Sequence, residues 1–352
     1  MNRNIKFAEA IKEATIYSMK KDPKMITYGL GVDDPKGIFG TSLGLEKIFG
    51  NKRVFDVPTS ENALTGIAIG SALNGSRVLF SHQRFDFSLL SFDQIINNAA
   101  KWNYMFGGKT KSPSITIRVI VGKGWGQGPT HSQNFQSLLA HIPGLKIVSP
   151  TFPEDAYNLL IESIFDPNPV IFIEHRWLHE TKSKIKRKKI KIGDVKLLKK
   201  GKNLTILSNS YGLLNILNTN KYLKKYKIYP DIIDCFSISP INLKKIINSV
   251  KKTKRLILLD NSNTFCSFSS GILSEIVQTK NIQFKSKPVI LGNKNIPSPT
   301  SHYISKFFYQ NPTTIFESIM KMFQIKNFIV PEELKDIKIN HDVPNEKEFG
   351  PF

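Results

Sequence analysis

Acidic residues, cysteines and long apolar runs are all scarce in this chain. Its 352 residues include 28 Asp and Glu against 50 Lys and Arg, so the formal net charge is +22 at pH 7. The two cysteines, Cys235 and Cys266, are too few for a disulfide scaffold and lack the spacing of metal ligands. No apolar run approaches the roughly 20 residues that a membrane helix needs. The composition therefore favours a globular protein without a disulfide framework or a membrane span.

The N-terminal segment lacks the continuous apolar core of a signal peptide. Residues 1–20 carry apolar side chains at helical spacing, together with Glu9 and Glu13. A transit peptide, by contrast, is poor in acidic residues. We therefore expect a surface helix here and a cytoplasmic protein.

The excess of positive charge makes a nucleic acid or an acidic membrane worth considering as a partner. It comes mostly from lysines spread along a chain that is also rich in Ile and Asn, a bias that an AT-rich coding sequence can produce. The densest basic run, KSKIKRKKIK at 182–191, falls between two α/β segments, and such runs are usually solvated. No aromatic residues of an RNA-binding motif accompany it. We expect a basic linker and no membrane partner, and we rank nucleic-acid binding low.

Apolar segments of strand length alternate with helical patterns along most of the chain. This alternation argues for mostly parallel sheets covered on both faces. We predict two doubly wound α/β domains, 1–180 and 201–325, joined by the basic linker 181–200 and followed by an extended tail, 326–352. The predicted strands are 25–28, 53–57, 78–80, 114–121, 146–149, 170–174, 204–208, 232–235, 256–259 and 288–291. The predicted helices are 7–20, 63–73, 91–105, 154–164, 213–226, 243–251, 270–277 and 313–323.

Glu61 lies where a predicted strand ends and a Gly/Ala-rich helix begins, in the sequence DVPTSENA at 56–63. Sheet-based α/β folds place their chemistry at the carboxyl ends of strands, which makes Glu61 a candidate catalytic carboxylate. The alternative is structural: Thr59 or Ser60 is an N-cap, and Glu61 is a first-turn carboxylate favoured by the helix dipole.

Two further segments offer groups for chemistry, although neither a G-x-G-x-x-G nor a Walker A sequence is present. The glycine-rich loop 122–129 leads to His131, whose ordinary pKa near 6.5 suits an acid/base role. A flexible loop and a structural histidine are the alternatives. After strand 78–80, His82 and Arg84 are candidates for holding an anionic substrate, because Arg binds carboxylates well. Both side chains could equally be exposed to solvent.

Several motifs in one order resemble the beta subunits of thiamine-diphosphate-dependent 2-oxo acid dehydrogenases. They span about residues 5–325 and are DVPTSE at 56–61, FDF at 85–87, FDQIINNAAK at 92–101, THSQ at 130–133, PGLKIVSP at 143–150, DPNPV at 166–170 and VKKTKRL at 250–256. The resemblance implies a transketolase-like pyrimidine-binding domain followed by a transketolase C-terminal-like domain.

The resemblance also implies roles for individual residues. Glu61 would hydrogen-bond the cofactor's aminopyrimidine and promote the tautomer that activates the thiazolium carbon, and burial would help it to keep the proton for that exchange. Phe87 would stack on the pyrimidine, with Gln83 also at the cofactor. His131 would lie near the reacting carbonyl, beside His82 and Arg84 as substrate-binding residues. In some relatives the positions of Asp166 and Asn168 hold a structural monovalent cation, which makes K⁺ a candidate here.

One part of the family's cofactor site is missing. The diphosphate is held through Mg²⁺ by a G-D-G…N motif, and here only Gly193 and Asp194 in the basic linker approach it, without a strand-turn-helix context. In the resembling enzymes an alpha chain carries that motif. The implied partners are therefore an alpha subunit and a second copy of this chain in an α₂β₂ assembly, with a lipoyl acyltransferase as a further candidate. The chain alone is expected to be inactive.

The sequence also departs from the family pattern. It has GLGV at 29–32 in place of G-E-[DE]-V, a polar HQR at 82–84, and DNSN at 260–263 in place of a Glu- and Gly-rich turn. These changes suggest a polar or anionic substrate. The alternatives to a 2-oxo acid dehydrogenase are a transketolase-like or acyloin-forming C–C bond transferase on a sugar-like substrate and, ranked lower, a non-catalytic scaffold.

Overall fold

The structure, a computed structural model, describes residues 4–122 and 127–335. Residues 123–126 of the glycine-rich loop and residues 336–352 of the expected tail lie outside the described residues. Within the described ranges, no helix is both long and apolar enough to cross a lipid bilayer.

Strands and helices alternate along both halves of the chain. The strands are β1 (Asn4–Lys6), β2 (Ile26–Tyr28), β3 (Val54–Phe55), β4 (Val78–His82), β5 (Ile115–Val121), β6 (Lys146–Val148), β7 (Val170–His175), β8 (Lys182–Lys184), β9 (Lys196–Lys199), β10 (Leu204–Ser208), β11 (Pro230–Asp234), β12 (Ser237–Ser239), β13 (Leu256–Asn263) and β14 (Val289–Asn293). The α-helices are α1 (Phe7–Lys21), α2 (Gly37–Gly40), α3 (Leu45–Phe49), α4 (Glu61–Leu73), α5 (Trp102–Met105), α6 (Gln136–Ala140), α7 (Pro153–Ile164), α8 (Ser210–Leu223), α9 (Leu243–Thr253), α10 (Phe268–Val277), α11 (His302–Phe308) and α12 (Pro312–Met322).

The first domain is built on a seven-stranded sheet in the order β12-β6-β7-β5-β4-β2-β3. All neighbouring strands in it are parallel except β12, which runs antiparallel to β6. Successive residues such as Leu79 and Phe80 point to opposite faces, and both are buried in separate core clusters. Helices α1 and α7 pack on the Leu79 face and α4 on the Phe80 face. Burial on both faces explains why these strands are continuous apolar runs in the sequence.

The second domain contains a five-stranded sheet in the order β14-β13-β10-β11-β9. Its strands are parallel apart from β9, which pairs antiparallel with β11. Helices α8 and α12 pack together over one face, where Leu213, Ile315 and Phe316 belong to one buried cluster. The chain therefore has the two α/β domains that its sequence predicts.

The two domains share a strand and a buried polar contact. Strand β12 follows β11 of the second domain but joins the first sheet through β6, with the Ser149 backbone N–H donating to the Phe236 carbonyl at 2.7 Å. The Gln136 side chain, which is fully buried, donates to Asp260 Oδ1 across the domain boundary at 2.8 Å. The sequence did not predict β12, because three residues of Ser and Ile give no strand signal of their own.

The segment expected to be a basic linker makes contacts with both domains. Strand β8 pairs with β1, and β9 lies at the edge of the second sheet. Between them, Arg187 Nη2 lies 2.9 Å from Glu162 Oε1, and Lys188 makes ion pairs with Glu154 and Asp155 of α7. Part of the basic charge in this run is thus matched by acidic side chains of the same chain.

One predicted helix has a different form. Residues 91–105, expected to form one α-helix, are divided between the end of a 3₁₀ helix (Phe85–Ser91), a π-helix (Gln94–Ala99) and the short α5. No glycine or proline interrupts this segment, so its sequence carries no local signal for the change. Widened π turns are common near functional sites.

Candidate active site

A pocket at the carboxyl edge of the first sheet unites four of the residues singled out in the sequence, Glu61, His82, Gln83 and Phe87. It lies where β2, β3 and β4 end and where α4 begins. Its lining residues are Leu30, Val57, Pro58, Thr59, Glu61, Leu64, Phe80, Ser81, His82, Gln83 and Phe87. The walls are largely apolar, and their polar groups are a carboxylate, an imidazole, an amide and the hydroxyls of Thr59 and Ser81. Such a lining suits a flat heterocycle with polar edges.

Glu61 is the first residue of α4 and is half-buried. The preceding residue, Ser60, is the N-cap, but its side chain makes no capping hydrogen bond. Within the described residues no group donates a hydrogen bond to the Glu61 carboxylate, although the Glu61 carbonyl accepts one from Thr65 Oγ1 at 2.7 Å. The carboxylate is therefore available to a ligand in the pocket.

Three strand ends are tied together around the pocket. The Gly31 backbone N–H, after β2, donates to Asp56 Oδ1, after β3, at 2.7 Å. Gln83 Nε2, after β4, donates to the Leu30 carbonyl at 2.9 Å. Gly31 has φ +77°, a conformation that glycine adopts readily, and a Cβ there would lie 2.5 Å from Gln83 Nε2, so the glycine leaves room for this amide. The segment GLGV at 29–32 thus contacts Gln83 through the Leu30 carbonyl and the open space at Gly31.

Phe87 and His131 are brought together by a buried carboxylate. Their rings meet edge to face, with centroids 5.4 Å apart. Asp86 Oδ1 accepts a hydrogen bond from Gln133 Nε2 at 2.8 Å, which fixes the loop that carries His131 to the segment that carries Phe87. Burial raises the pKa of Asp86. Asp86 and Gln133 were part of the motifs FDF and THSQ, but their role as a link between the two motifs was not predicted.

The environment of His82 does not favour a positively charged ring. It is only 4% exposed, and its ring meets Phe80 at a centroid distance of 4.5 Å. Burial lowers the pKa of His82 to about 3, so the ring is neutral near pH 7. A neutral ring does not attract an anion by charge, because desolvation disfavours the charged form, and substrate binding by His82 stays a prediction.

Arg84 is buried next to the pocket and has neutral partners. Its Nε and Nη2 donate to Gln127 Oε1 at 3.1 and 2.9 Å, and its Nη1 donates to the Gln83 carbonyl at 3.0 Å. The guanidinium carbon lies 4.9 Å from the Phe39 ring centroid, and that of Arg176 lies 4.8 Å from the same centroid. Within residues 4–122 and 127–335, no carboxylate lies within 4.0 Å of the Arg84 guanidinium. Burial and the positive charge of Arg176 lower the pKa of Arg84.

A buried charged network lies beneath the strand that carries His82. Arg118 of β5 and Glu174 of β7 are 2% and 0% exposed, and Arg118 Nε lies 2.5 Å from Glu174 Oε1. Arg118 also donates to Thr41 at 2.8 Å and approaches Ser81 Oγ of β4 at 3.4 Å. Burial would raise the pKa of Glu174, but Arg118 and His179 hold it below its ordinary value. This network was not predicted, because its charged residues are distant in the sequence.

Comparisons with known proteins agree with this architecture. The sequence matches the families described as "Transketolase, pyrimidine binding domain" over residues 3–181 and "Transketolase, C-terminal domain" over residues 193–315. The pyruvate dehydrogenase E1 component subunit beta of Rickettsia felis is 32% identical over 317 residues, which cover 89% of this chain and 97% of that protein. This chain belongs to the transketolase-like beta-subunit family of thiamine-diphosphate-dependent 2-oxo acid dehydrogenases.

The chain is also similar to the beta subunit of a differently named enzyme and to a solved transketolase structure. The acetoin:2,6-dichlorophenolindophenol oxidoreductase subunit beta of Cupriavidus necator is 33% identical over 334 residues, which cover 91% of this chain and 98% of that protein. A solved structure titled "Split gene transketolase, inactive beta4 tetramer" has a TM-score of 0.72 and 16% identity, and covers 92% of this chain and 99% of that one. At that identity the structural match concerns the fold, which confirms the predicted fold class.

The described lining of the pocket lacks the positive charge that a diphosphate attracts. None of the residues that line the pocket is Lys or Arg. Asp194, which belongs to the only fragment resembling G-D-G…N, lies 2.7 Å from Lys245 Nζ and accepts from Asn242 Nδ2 at 3.0 Å. It is therefore occupied by a structural contact. An exposed acidic group, Asp33, Asp34 and Asp56, lies close together, but such groups are common on surfaces without a metal.

The cation suggested for Asp166 and Asn168 would meet an existing counter-ion. Lys146 Nζ lies 2.6 Å from Asp166 Oδ2 and 2.9 Å from Oδ1. Asn168 donates to Asp166 Oδ1 from its backbone at 2.9 Å and from its side chain at 3.1 Å. The carboxylate charge is thus already compensated by an ammonium group, and K⁺ at this place remains only a prediction.

Proposed function

We propose that this chain is the pyrimidine-binding, proton-handling half of a two-chain thiamine-diphosphate enzyme that decarboxylates a 2-oxo acid and passes on the acyl or aldehyde unit. The observation that carries the proposal is the pocket that joins the Glu61 carboxylate to the Phe87 ring and contains no cationic side chain. Such a lining offers a carboxylate and an aromatic face to the aminopyrimidine, and no positive charge to the diphosphate. Mg²⁺ and the diphosphate would be held by an alpha subunit in an α₂β₂ assembly.

Each pocket residue would have a separate role in the reaction. When bound, thiamine diphosphate supplies a carbon nucleophile and an electron sink for the decarboxylation. Glu61 would hold and exchange a proton at a ring nitrogen of the pyrimidine, as a positioned carboxylate can. Phe87 would pack against the face of that ring. Because Glu61 is half-buried in this chain alone, we infer that the partner completes its desolvation.

The substrate class follows from the polar residues beside the pocket. His131 meets Phe87 and would lie near the carbonyl of the substrate. Gln83 and Arg84 follow β4, and they suit a 2-oxo acid with a polar or anionic group in addition to its carboxylate better than pyruvate, whose remaining group is a methyl. The acetoin oxidoreductase relatives favour a second candidate, cleavage or formation of a C–C bond in a hydroxy-ketone. A panel of 2-oxo acids and ketose phosphates separates the two.

The assembly itself gives the first test. We expect the isolated chain to bind thiamine diphosphate with Mg²⁺ weakly or not at all, because the residues that line the described pocket offer groups for the pyrimidine but no positive charge for the diphosphate. Addition of an alpha subunit carrying G-D-G…N should give a light-scattering mass of two chains of each kind and measurable cofactor binding by calorimetry. Tight cofactor binding by the isolated chain would contradict the division of the site.

Arg84 gives a test of substrate charge. Its buried guanidinium has only neutral partners in the described part of the chain, so an anionic group of the substrate would supply the missing counter-charge. Loss of one charge-assisted hydrogen bond costs about 1.5–3 kcal/mol. Arg84→Met should therefore lower kcat/KM for an anionic substrate by roughly 10- to 150-fold, with cofactor affinity nearly unchanged.

Gln127→Ala is the matched control for Arg84→Met, since it removes the neutral partner of Arg84 and retains the charge. We expect Gln127→Ala to have the smaller effect on kcat/KM, and both variants to assemble with the alpha subunit. Loss of cofactor affinity or of assembly in Arg84→Met would make Arg84 a structural residue and remove the main argument for an anionic substrate.

A further inference from the structure

His82, which lines the pocket, has a buried polar atom without a partner in the described chain. His82 Nε2 is fully buried and makes no hydrogen bond to any described residue. His82 is the last residue of β4, on the same face as Phe80, whose ring it contacts. Buried polar atoms in folded proteins are nearly always hydrogen-bonded, so an exception in a pocket suggests that a ligand supplies the bond.

The imidazole ring of His82 is a neutral hydrogen-bonding group. Burial lowers the pKa of His82 to about 3, and a neutral imidazole donates from one nitrogen and accepts at the other. A neutral imidazole has no electrostatic preference for an anion. It suits an amino group or a ring nitrogen of an uncharged heterocycle instead.

The residues around His82 indicate which heterocycle the pocket would bind. Leu30, Val57 and Leu64 provide apolar walls, while the Glu61 carboxylate is a second polar group that the described chain leaves available. A ligand that satisfies both groups needs polar atoms at two separate positions on its rim and an apolar face. An aminopyrimidine, with two ring nitrogens and an exocyclic amino group, meets this requirement.

We propose that His82 Nε2 hydrogen-bonds the rim of the cofactor's aminopyrimidine and thereby acts, alongside Glu61, as a positioning residue for that ring. The proposal rests on the proposed function and deepens it, because it moves His82 from the substrate to the cofactor. It also gives a reason for a histidine at a buried strand end where an apolar residue would pack without an unpaired atom.

The test uses the reconstituted complex and the variant His82→Phe, which keeps an aromatic ring beside Phe80 and removes both nitrogens. We expect the affinity for thiamine diphosphate with Mg²⁺, measured by calorimetry, to fall by about threefold to tenfold, the range of one neutral hydrogen bond. The apparent KM for the cofactor should rise by the same factor, with kcat at saturating cofactor within about twofold. The thermal midpoint of the isolated chain should not fall, because the variant removes an unpaired polar atom.

Three further measurements separate this role from a packing role. Inorganic diphosphate with Mg²⁺, used as a competitor, should bind wild type and His82→Phe equally, because it lacks the pyrimidine. His82→Gln, which restores a neutral donor and acceptor, should recover part of the affinity. His141→Phe, at an exposed histidine outside this pocket, should change nothing.

The outcomes distinguish the inference from the proposed function. If wild type binds the cofactor and Glu61 variants lose turnover while His82→Phe retains full affinity, the role of His82 is refuted and the proposed function stands. An equal loss for cofactor and inorganic diphosphate, or a lower thermal midpoint without rescue by His82→Gln, would make His82 a packing residue. If the wild-type complex binds no thiamine diphosphate, the proposed function fails first.

Discussion

Glu61→Gln is expected to lower turnover of the reconstituted complex by roughly 100-fold or more, the usual scale of acid/base assistance. The substitution keeps the shape of the side chain and its place in the first turn of α4, but a carboxamide cannot exchange the proton. No described residue donates a hydrogen bond to the Glu61 carboxylate, so the fold does not depend on this carboxylate as an acceptor. We therefore expect the variant to fold and assemble, and single-turnover measurements at saturating cofactor to locate the loss in the chemical steps.

If Glu61 has only a structural role, the expected effect of Glu61→Gln is different. A first-turn carboxylate that acts only through the helix dipole is worth about 0.3–1 kcal/mol of stability and nothing in turnover. Glu46→Gln is the matched control, since Glu46 lies in the first turn of α3 and outside the pocket. Full activity of reconstituted Glu61→Gln, with a small loss of stability like that of Glu46→Gln, would refute the catalytic role.

Glu174→Gln should be the most destabilising of these single substitutions, with a loss of about 3–5 kcal/mol in the free energy of unfolding. Glu174 is fully buried, and the substitution leaves the Arg118 guanidinium, 2% exposed, without its counter-charge. Denaturant unfolding of the isolated chain measures the effect. The surface pair Arg187–Glu162 supplies the control, because Glu162→Gln should cost no more than about 1 kcal/mol.

The pH dependence of Glu174→Gln follows from the direction of the pKa shift. The pKa of Glu174 is lower in the folded chain than its ordinary value, so the ionised carboxylate stabilises the fold above that ordinary value, and this contribution is lost as the pH falls through the lowered one. The difference between wild type and variant should therefore shrink in acid. The double variant Arg118→Met/Glu174→Met should recover much of the loss, since an apolar pair leaves no buried charge. A variant as stable as wild type at neutral pH would contradict the proposed importance of the pair.

The sequence alone specified the parts of the fold that have local causes. Every predicted strand has a counterpart in the structure. Most are short apolar runs, and the central ones are buried on both faces. The strand-to-helix junction at 56–63 could also be predicted, since the strand before it and the Gly/Ala-rich helix after it both have local sequence patterns. The expectation that Glu61, Gln83 and Phe87 lie in one place came from a family resemblance, and their spacing alone would not have given it.

Tertiary structure decided everything that depends on which strands are neighbours. The exchange of β12 into the first sheet, the Arg118–Glu174 pair between β5 and β7, and the link from Asp86 to Gln133 all join residues far apart in the chain. The same is true of His82. Its sequence neighbours suggest a polar, charged group, but burial at the end of β4 makes it neutral and leaves Nε2 without a partner among the described residues. Charge state and hydrogen-bond satisfaction are properties of the packed environment, and local sequence does not contain them.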